Sequence, residues 1–397
     1  MIRINLIKKS AFFLMIMLLL PLSKGFAESE KLMVDANEFE ALKKRISSLE
    51  ENSKRGFLSR KKKWFELSGE LELEYRQTTG DAPGLDKQVD YMGIDKVVLS
   101  PKIKIDENVK LSLSFIYNTD GTELDKAYMT FKKLWLGSSL VVGLDDRFFY
   151  RGGTQRKTEG SPLIRSAYFR GTEYQLTWSG KKNIFNWHVS LSQGMQLGKK
   201  QASEDSSYKF LADRSQDKKG EHNQNKAVSA GLGAKSRIGK SGKYDVMAFV
   251  YNAKLSEEDI AVLQGITGYG ADEDADSKTI TGMYFTYQQG GFDFDTSYVK
   301  SKDGKLDRNG WYIRTAYKVS DYDFVLRYDE LNVDLNAVEG TSFSQTATWD
   351  RTQTTAAVII DLYKYTKLKL EYYLNDEETG GDDVSNDEFL AQLEVKF

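Results

Sequence analysis

Cysteine is absent from the 397 residues, histidine occurs twice and proline four times. The first absence excludes disulfides, thiol catalysis, cysteine zinc sites and iron–sulfur clusters. Two histidines leave little for metal-ligand or acid–base machinery. Charge of one sign is not in excess: 56 Lys and Arg face 58 Asp and Glu, a net of −2. That balance argues against a nucleic-acid partner. Long apolar runs are missing too. A helical membrane protein needs several runs of about 20 residues, and only one run, near the N-terminus, comes close. There is no nucleotide-binding loop, and nothing in the pattern calls for a cofactor.

What is present begins with an export address. Arg3, Lys8 and Lys9 precede the apolar run Ala11 to Leu22, and Gly25 and Ala27 stand at the −3 and −1 positions of a small-residue cleavage site. This is the layout of a secretory signal peptide over residues 1–27. The run is short for a spanning helix. Its removal takes away Arg3, Lys8, Lys9 and Lys24 and moves the net charge from −2 to −6.

Residues 28–53 read as a short helix. Leu32, Phe39, Leu42, Ile46 and Leu49 occupy heptad a and d positions, with polar residues between them. Two or three heptads are marginal alone, so the helix would serve oligomerisation within a larger assembly. An amphipathic helix lying on a rim is the alternative. Residues 54–63 form a basic linker with Lys54, Arg55, Arg60, Lys61, Lys62 and Lys63. They either remain solvated or make an electropositive collar.

From Trp64 the period falls to 2. Phe65, Leu67, Leu71, Leu73 and Tyr75 alternate with Glu66, Ser68, Glu70, Glu72 and Glu74. Past this point the pattern gives no convincing helix and so no layer to cover the apolar face. About 16 such strands can be drawn over residues 64–397. Short turns fall at 106–108, 136–137, 179–182, 239–242, 290–291, 320–321 and 364; long polar loops fall at 77–93, 145–170, 193–226, 252–278, 300–309, 329–353 and 375–387. The expected fold is all-β, a transmembrane antiparallel barrel, greasy outside and wet within, with a short N-terminal helix. Aromatics gather at hairpin ends: Tyr287 and Phe292, Tyr317, Tyr322 and Phe324, Tyr363 and Tyr365. Their amphipathic rings suit a membrane interface.

Two segments carry a family likeness. The last strand, FLAQLEVKF, alternates and ends in Phe397, and KAYMTFKKLWLGSSLVVGLDDRFF spans the fourth and fifth strands and enters the third loop. The chain resembles Gram-negative outer-membrane porins, in particular the phosphate-selective and related substrate-specific members that carry a short N-terminal coil. The resemblance implies a homotrimer of 16-stranded barrels, each with its third loop folded inward as a constriction. It implies passive diffusion of small hydrophilic solutes, contact with outer-membrane lipid and lipopolysaccharide, and no enzymatic activity. It does not fix phosphate. The rival is a structural or adhesive barrel whose helix contacts peptidoglycan or a periplasmic partner.

Charge placement says what such a pore would read. The loop 145–170 carries Arg147, Arg151, Arg156, Lys157, Arg165 and Arg170 against Asp145, Asp146 and Glu159, a net of +3. Lining the narrowest point, it would favour anions. By strand phase Lys102, Lys104, Arg314 and Arg327 also face inward. The alternative is that these cations pair with nearby acids and with lipopolysaccharide phosphates. Inward acids, Glu70, Glu72, Glu74, Asp293 and Asp295, point to a transverse field, basic on one wall and acidic on the other. Acidic loop residues (Asp272, Glu273, Asp274 and Asp276; Asp376, Glu377, Glu378, Asp382 and Asp383) lack the calcium-loop spacing and read as solvated or as bridged to lipopolysaccharide by divalent cations. His188 and Ser190 resemble the pair of outer-membrane phospholipases. That chemistry needs them facing lipid, whereas Trp187, Val189 and Leu191 hold the apolar phase and put them inside.

Overall fold

The computed structural model describes residues 64–80, 89–118, 121–147, 157–169, 171–201, 209–215, 225–239, 241–267, 276–334, 347–348, 350–379 and 382–397. The signal, helix and linker readings, with Leu32, Phe39, Leu42, Ile46 and Leu49, lie outside these residues, as do Arg151, Arg156, Arg170 and Asp272 to Asp274.

The strands in chain order are β1 Phe65–Gly80, β2 Val89–Lys104, β3 Val109–Asn118, β4 Gly121–Phe131, β5 Ser139–Asp146, β6 Thr172–Lys182 and β7 Phe185–Ser192. After them come β8 Met195–Gln201, β9 Lys209–Ser215, β10 Ala227–Ile238, β11 Gly242–Lys254, β12 Ser277–Gln289 and β13 Phe292–Asp303. The last are β14 Leu306–Val319, β15 Tyr322–Asp334, β16 Ala347–Thr348, β17 Asp350–Tyr363, β18 Thr366–Thr379 and β19 Asp382–Lys396. Among the described residues, 16 of these close a barrel in the order β1–β7, β10–β15, β17–β19, each next to its chain neighbour. β1 pairs antiparallel with β19 to shut the seam, and Gly69 and Phe397 exchange backbone hydrogen bonds of 2.9 and 3.0 Å. The remaining three, β8, β9 and β16, make a small separate sheet.

The alternation expected from the sequence is physical. Outward-facing Leu67, Leu176, Leu191, Leu232, Met283 and Leu326 are exposed, while Glu72, Glu74, Asp295, Arg314 and Arg327 on the opposite phase are buried. A closed barrel has no second layer, so its outside must meet an apolar medium and its inside is wet. Aromatics mark the short-turn end. Tyr317, Tyr322, Phe324, Tyr363 and Tyr365 are exposed there, and Trp135 and Trp187 flank Trp178 at ring separations of 6.1 and 4.5 Å. The turns are tight: Gly290, at φ 57°, supplies the left-handed conformation that the β12–β13 hairpin needs.

Four loop expectations are corrected. The described residues of segments 300–309 and 375–387 are mostly strand, because β13 and β14 stay paired from Phe292↔Tyr317 to Asp303↔Leu306, and β18 and β19 stay paired to Thr379↔Asp382. Polar residues on both faces hide a strand from hydropathy where both faces are wet, yet the backbone ladder continues. Segment 193–226 holds the β8–β9 hairpin. Segment 252–278 holds an α-helix, α1 Glu257–Thr267, against the expectation of none past residue 64. Its start is a capping box: the Ser256 amide donates to Asp259 Oδ2 at 2.8 Å and the Asp259 amide donates to Ser256 Oγ at 3.1 Å.

Candidate functional site: a loop latched across the lumen

The described part of the segment between β5 and β6, residues 157–169, lies inside the barrel. At its root Arg147, buried, donates from Nη1 to the Tyr168 carbonyl at 3.0 Å, so the two ends of the loop are tied together. From residue 157 the chain lies against the inner faces of strands on the far side. The Glu159 amide donates to Glu371 Oε1 at 2.7 Å, the Gly160 amide to the Tyr373 hydroxyl at 2.8 Å and the Leu163 amide to Asp329 Oδ1 at 3.1 Å. Arg327 Nη1 donates to Thr158 Oγ1 at 2.9 Å and to the Gly160 carbonyl at 2.7 Å. A loop carries its own unsatisfied amides, and here inward carboxylates, a phenol and a guanidinium satisfy them.

Beyond that polar foot the loop turns apolar. Pro162 accepts from the Arg165 and Ser166 amides, opening a π-helical turn, Arg165–Phe169. Leu163, Ile164, Ala167, Tyr168 and Phe169 then form one buried cluster with inward residues of β11–β15, among them Phe249, Tyr251, Ile280, Tyr312 and Leu331. The fit is close: a Cβ at Gly310 would lie 2.7 Å from Ile164 Cγ2. The lumen is therefore filled on the β11–β15 side.

The basic residues singled out from the sequence separate into groups. Lys157, Arg314 and Arg327 come together at the docking wall, each beside acids. Lys157 Nζ lies 2.9 Å from Asp323 and 3.6 Å from Asp293, Arg314 lies 3.0 Å from Asp295, and Arg327 Nε lies 2.5 Å from Asp329. Arg147 binds the loop's own backbone, and Arg165 sits half-buried in the π turn. Lys102 and Lys104 face inward, in register with Glu66 and Lys110, but near the short turns and away from the loop; Lys104 pairs with half-exposed Glu66 at 3.1 Å. Lys104, Lys157, Arg314 and Arg327 thus stand beside acids, whereas Arg147 is held by a backbone carbonyl.

Sequence reasoning missed several partners. Lys369 Nζ lies 3.3 Å from Glu159 and 2.9 Å from Glu394, and Lys96 Nζ lies 2.6 Å from Glu72 and 3.8 Å from Glu159. Strand phase puts all of them inside, but no local signal says which meet the loop. Two carboxylate groups within 4.8 Å, Glu70–Glu72–Glu394 and Glu72–Asp95–Glu159, are threaded by Lys96, Lys369 and Lys396, the last 2.9 Å from Glu394. The wall made by β3, β6, β7 and β10 is different. Its inward residues include Ser112, Ser114, Thr177, Ser190 and Ser229, with Thr177 and Ser190 hydroxyls 2.9 Å apart. His188 and Ser190 are buried on this inner face, as the strand phase requires.

No protein-family model matches the chain, and no curated relative does. Solved structures do match in fold. The outer membrane channel DcaP of Acinetobacter baumannii is similar at TM-score 0.55 and 12% identity, covering 84% of this chain and 97% of that one. OmpF of Salmonella typhi gives 0.58 and 12%, with 84% and 97% covered. An anion-selective porin from Comamonas acidovorans gives 0.53 and 9%, with 84% and 99% covered. The likeness spans the barrel end to end and establishes the architecture of a 16-stranded porin-type barrel.

Proposed function

We propose that the chain is an outer-membrane porin of a Gram-negative bacterium, a water-filled channel for passive diffusion of small hydrophilic solutes. One observation carries this reading: a closed barrel, apolar outside, whose third loop is latched across a lumen lined with charge and hydroxyls. A plain structural barrel does not need an inner face of this kind, whereas a diffusion pore sorts solutes by exactly such a narrowing and its field. The outward aromatics would meet lipid at the interface, and the long-loop end would meet lipopolysaccharide. The reading needs no cofactor and no catalytic group.

Selectivity follows from the balance of the loop. Its net charge of +3 over residues 145–170 supports a mild anion preference. The acid partners of Lys157, Arg314 and Arg327 keep that preference small. The resemblance to porins and the heptad of Leu32, Phe39, Leu42, Ile46 and Leu49 support a homotrimer.

Planar-bilayer recording tests the reading. The purified protein will open in discrete steps, in threes for a trimer, and a salt gradient will give a reversal potential on the anion side. Lys157→Met strips Asp323 of its cation, leaves Asp293 with Arg314 at 3.7 Å, and will move that potential toward cation preference. A silent wild type would end the channel reading. A cation-selective wild type would end the anion preference.

A further inference from the structure

The β8–β9 hairpin is inserted between β7 and β10, which already pair directly at Ser192↔Ala227. The barrel therefore closes without it, and a hairpin so placed is free to stand up from the rim. It does not. Met195 and Ala212 join the buried cluster formed by the loop and the inner faces of β11–β15. Leu197 and Leu211 pack with Leu255, Leu263, Leu306 and Val333. Strands are about 5 Å apart, so to reach the inner face of β14 from the β7–β10 seam the hairpin must lean across the lumen.

A buried charge cluster holds it there. Asp213 of the hairpin accepts from Lys278 Nζ at 2.6 Å and from Arg308 Nη2 at 3.3 Å. Asp303 accepts from the same two side chains, each at 2.6 Å. Arg308 also donates to the Leu211 carbonyl at 3.2 Å and lies 4.8 Å from the Tyr168 ring centroid, so the hairpin and the constriction loop share one anchor. The four charged side chains are at most 1% exposed. Two cations and two carboxylates balance. Without Asp213, two buried cations would share one carboxylate, an arrangement that favours readmitting water.

We propose that Asp213 sets the size of solute this pore admits. It is a positioning residue: it pins the hairpin over the β11–β15 half of the mouth and leaves entry only by the other half. The proposal rests on the channel reading above.

The test compares wild type, Asp213→Ala, Asp213→Glu and a variant in which residues 194–225 are replaced by a short Gly-Ser turn, which the Ser192↔Ala227 pairing can accept. Unit conductance in bilayers and swelling of liposomes in neutral sugars of increasing size are read for each. Asp213→Ala and the replacement will raise conductance on the order of twofold and admit larger sugars, while Asp213→Glu keeps the wild-type limit. An unchanged limit in both Asp213→Ala and the replacement overturns the proposal. Enlargement by the replacement alone overturns the role of Asp213. If Asp213→Ala does not assemble, failure of the glutamate variant to keep the wild-type limit overturns the assignment. A wild type that conducts nothing counts instead against the channel reading.

Discussion

Arg327 shows how one inward side chain can serve two structures at once. Its guanidinium neutralises buried Asp329 and donates to Thr158 and Gly160 of the loop and to Gln353 of the barrel, the last at 2.6 Å. It is 1% exposed. Arg327→Ala would strand Asp329 in a dry site, a loss of about 3–5 kcal/mol where one partner of a buried pair is removed. The expected outcome is a barrel that still forms, unfolds at lower temperature in detergent and shows flickering channel openings as the loop detaches. A variant with wild-type thermal stability and quiet openings would contradict this. Strand phase identified Arg327 as inward from the sequence alone. That it would hold the loop rather than present a free charge to solutes depends on Asp329 and Thr158 being brought to it, and neither is near in the pattern.

At the scale of elements, helix α1 links to the small sheet outside the barrel wall. Asp259 caps its own helix and also accepts from the Leu197 amide of the hairpin at 2.6 Å. Burial raises its carboxyl above the usual range, while the Ser256 and Leu197 amides pull the other way. Asp259→Ala removes one half of the capping box, leaving the Ser256 cap in place, and frees the hairpin amide. Limited proteolysis of the protein in detergent will then cut within residues 195–215 and 255–267 faster than in wild type, with the barrel strands β10 and β11 between them resistant; equal rates would contradict the link. The capping box Ser256-x-x-Asp259 was legible in the sequence. The segment reads as a polar loop all the same, because a one-off helix carries no repeat to reinforce such a local signal.

For the molecule as a whole, closure of β1 on β19 makes residues 64–397 self-sufficient. A variant lacking residues 28–63 but keeping residues 1–27 will therefore insert and conduct with unchanged unit amplitude. If the heptad holds the trimer, its openings will come singly instead of in threes. Loss of all conductance would show that the barrel needs the N-terminal segment. The outward exposure of Leu, Phe and Tyr side chains also demands detergent or lipid throughout purification.

The amino-acid order alone determined the barrel: a period of 2 repeated over some 330 residues, with short turns alternating with longer links, has few other solutions, because each strand states its own two faces locally. It also assigned Arg314, Arg327, Lys102 and Lys104 to the inner face. What the loops do inside that barrel was decided only by the fold. The third loop's docking on Asp329, Glu371 and Tyr373, the hairpin's anchor on Lys278 and Arg308, and the pairing of Lys157, Arg314 and Arg327 with acids join residues up to 213 positions apart in the chain. Such contacts depend on the curvature and register of a closed sheet, and a closed sheet exists only once all its strands have met.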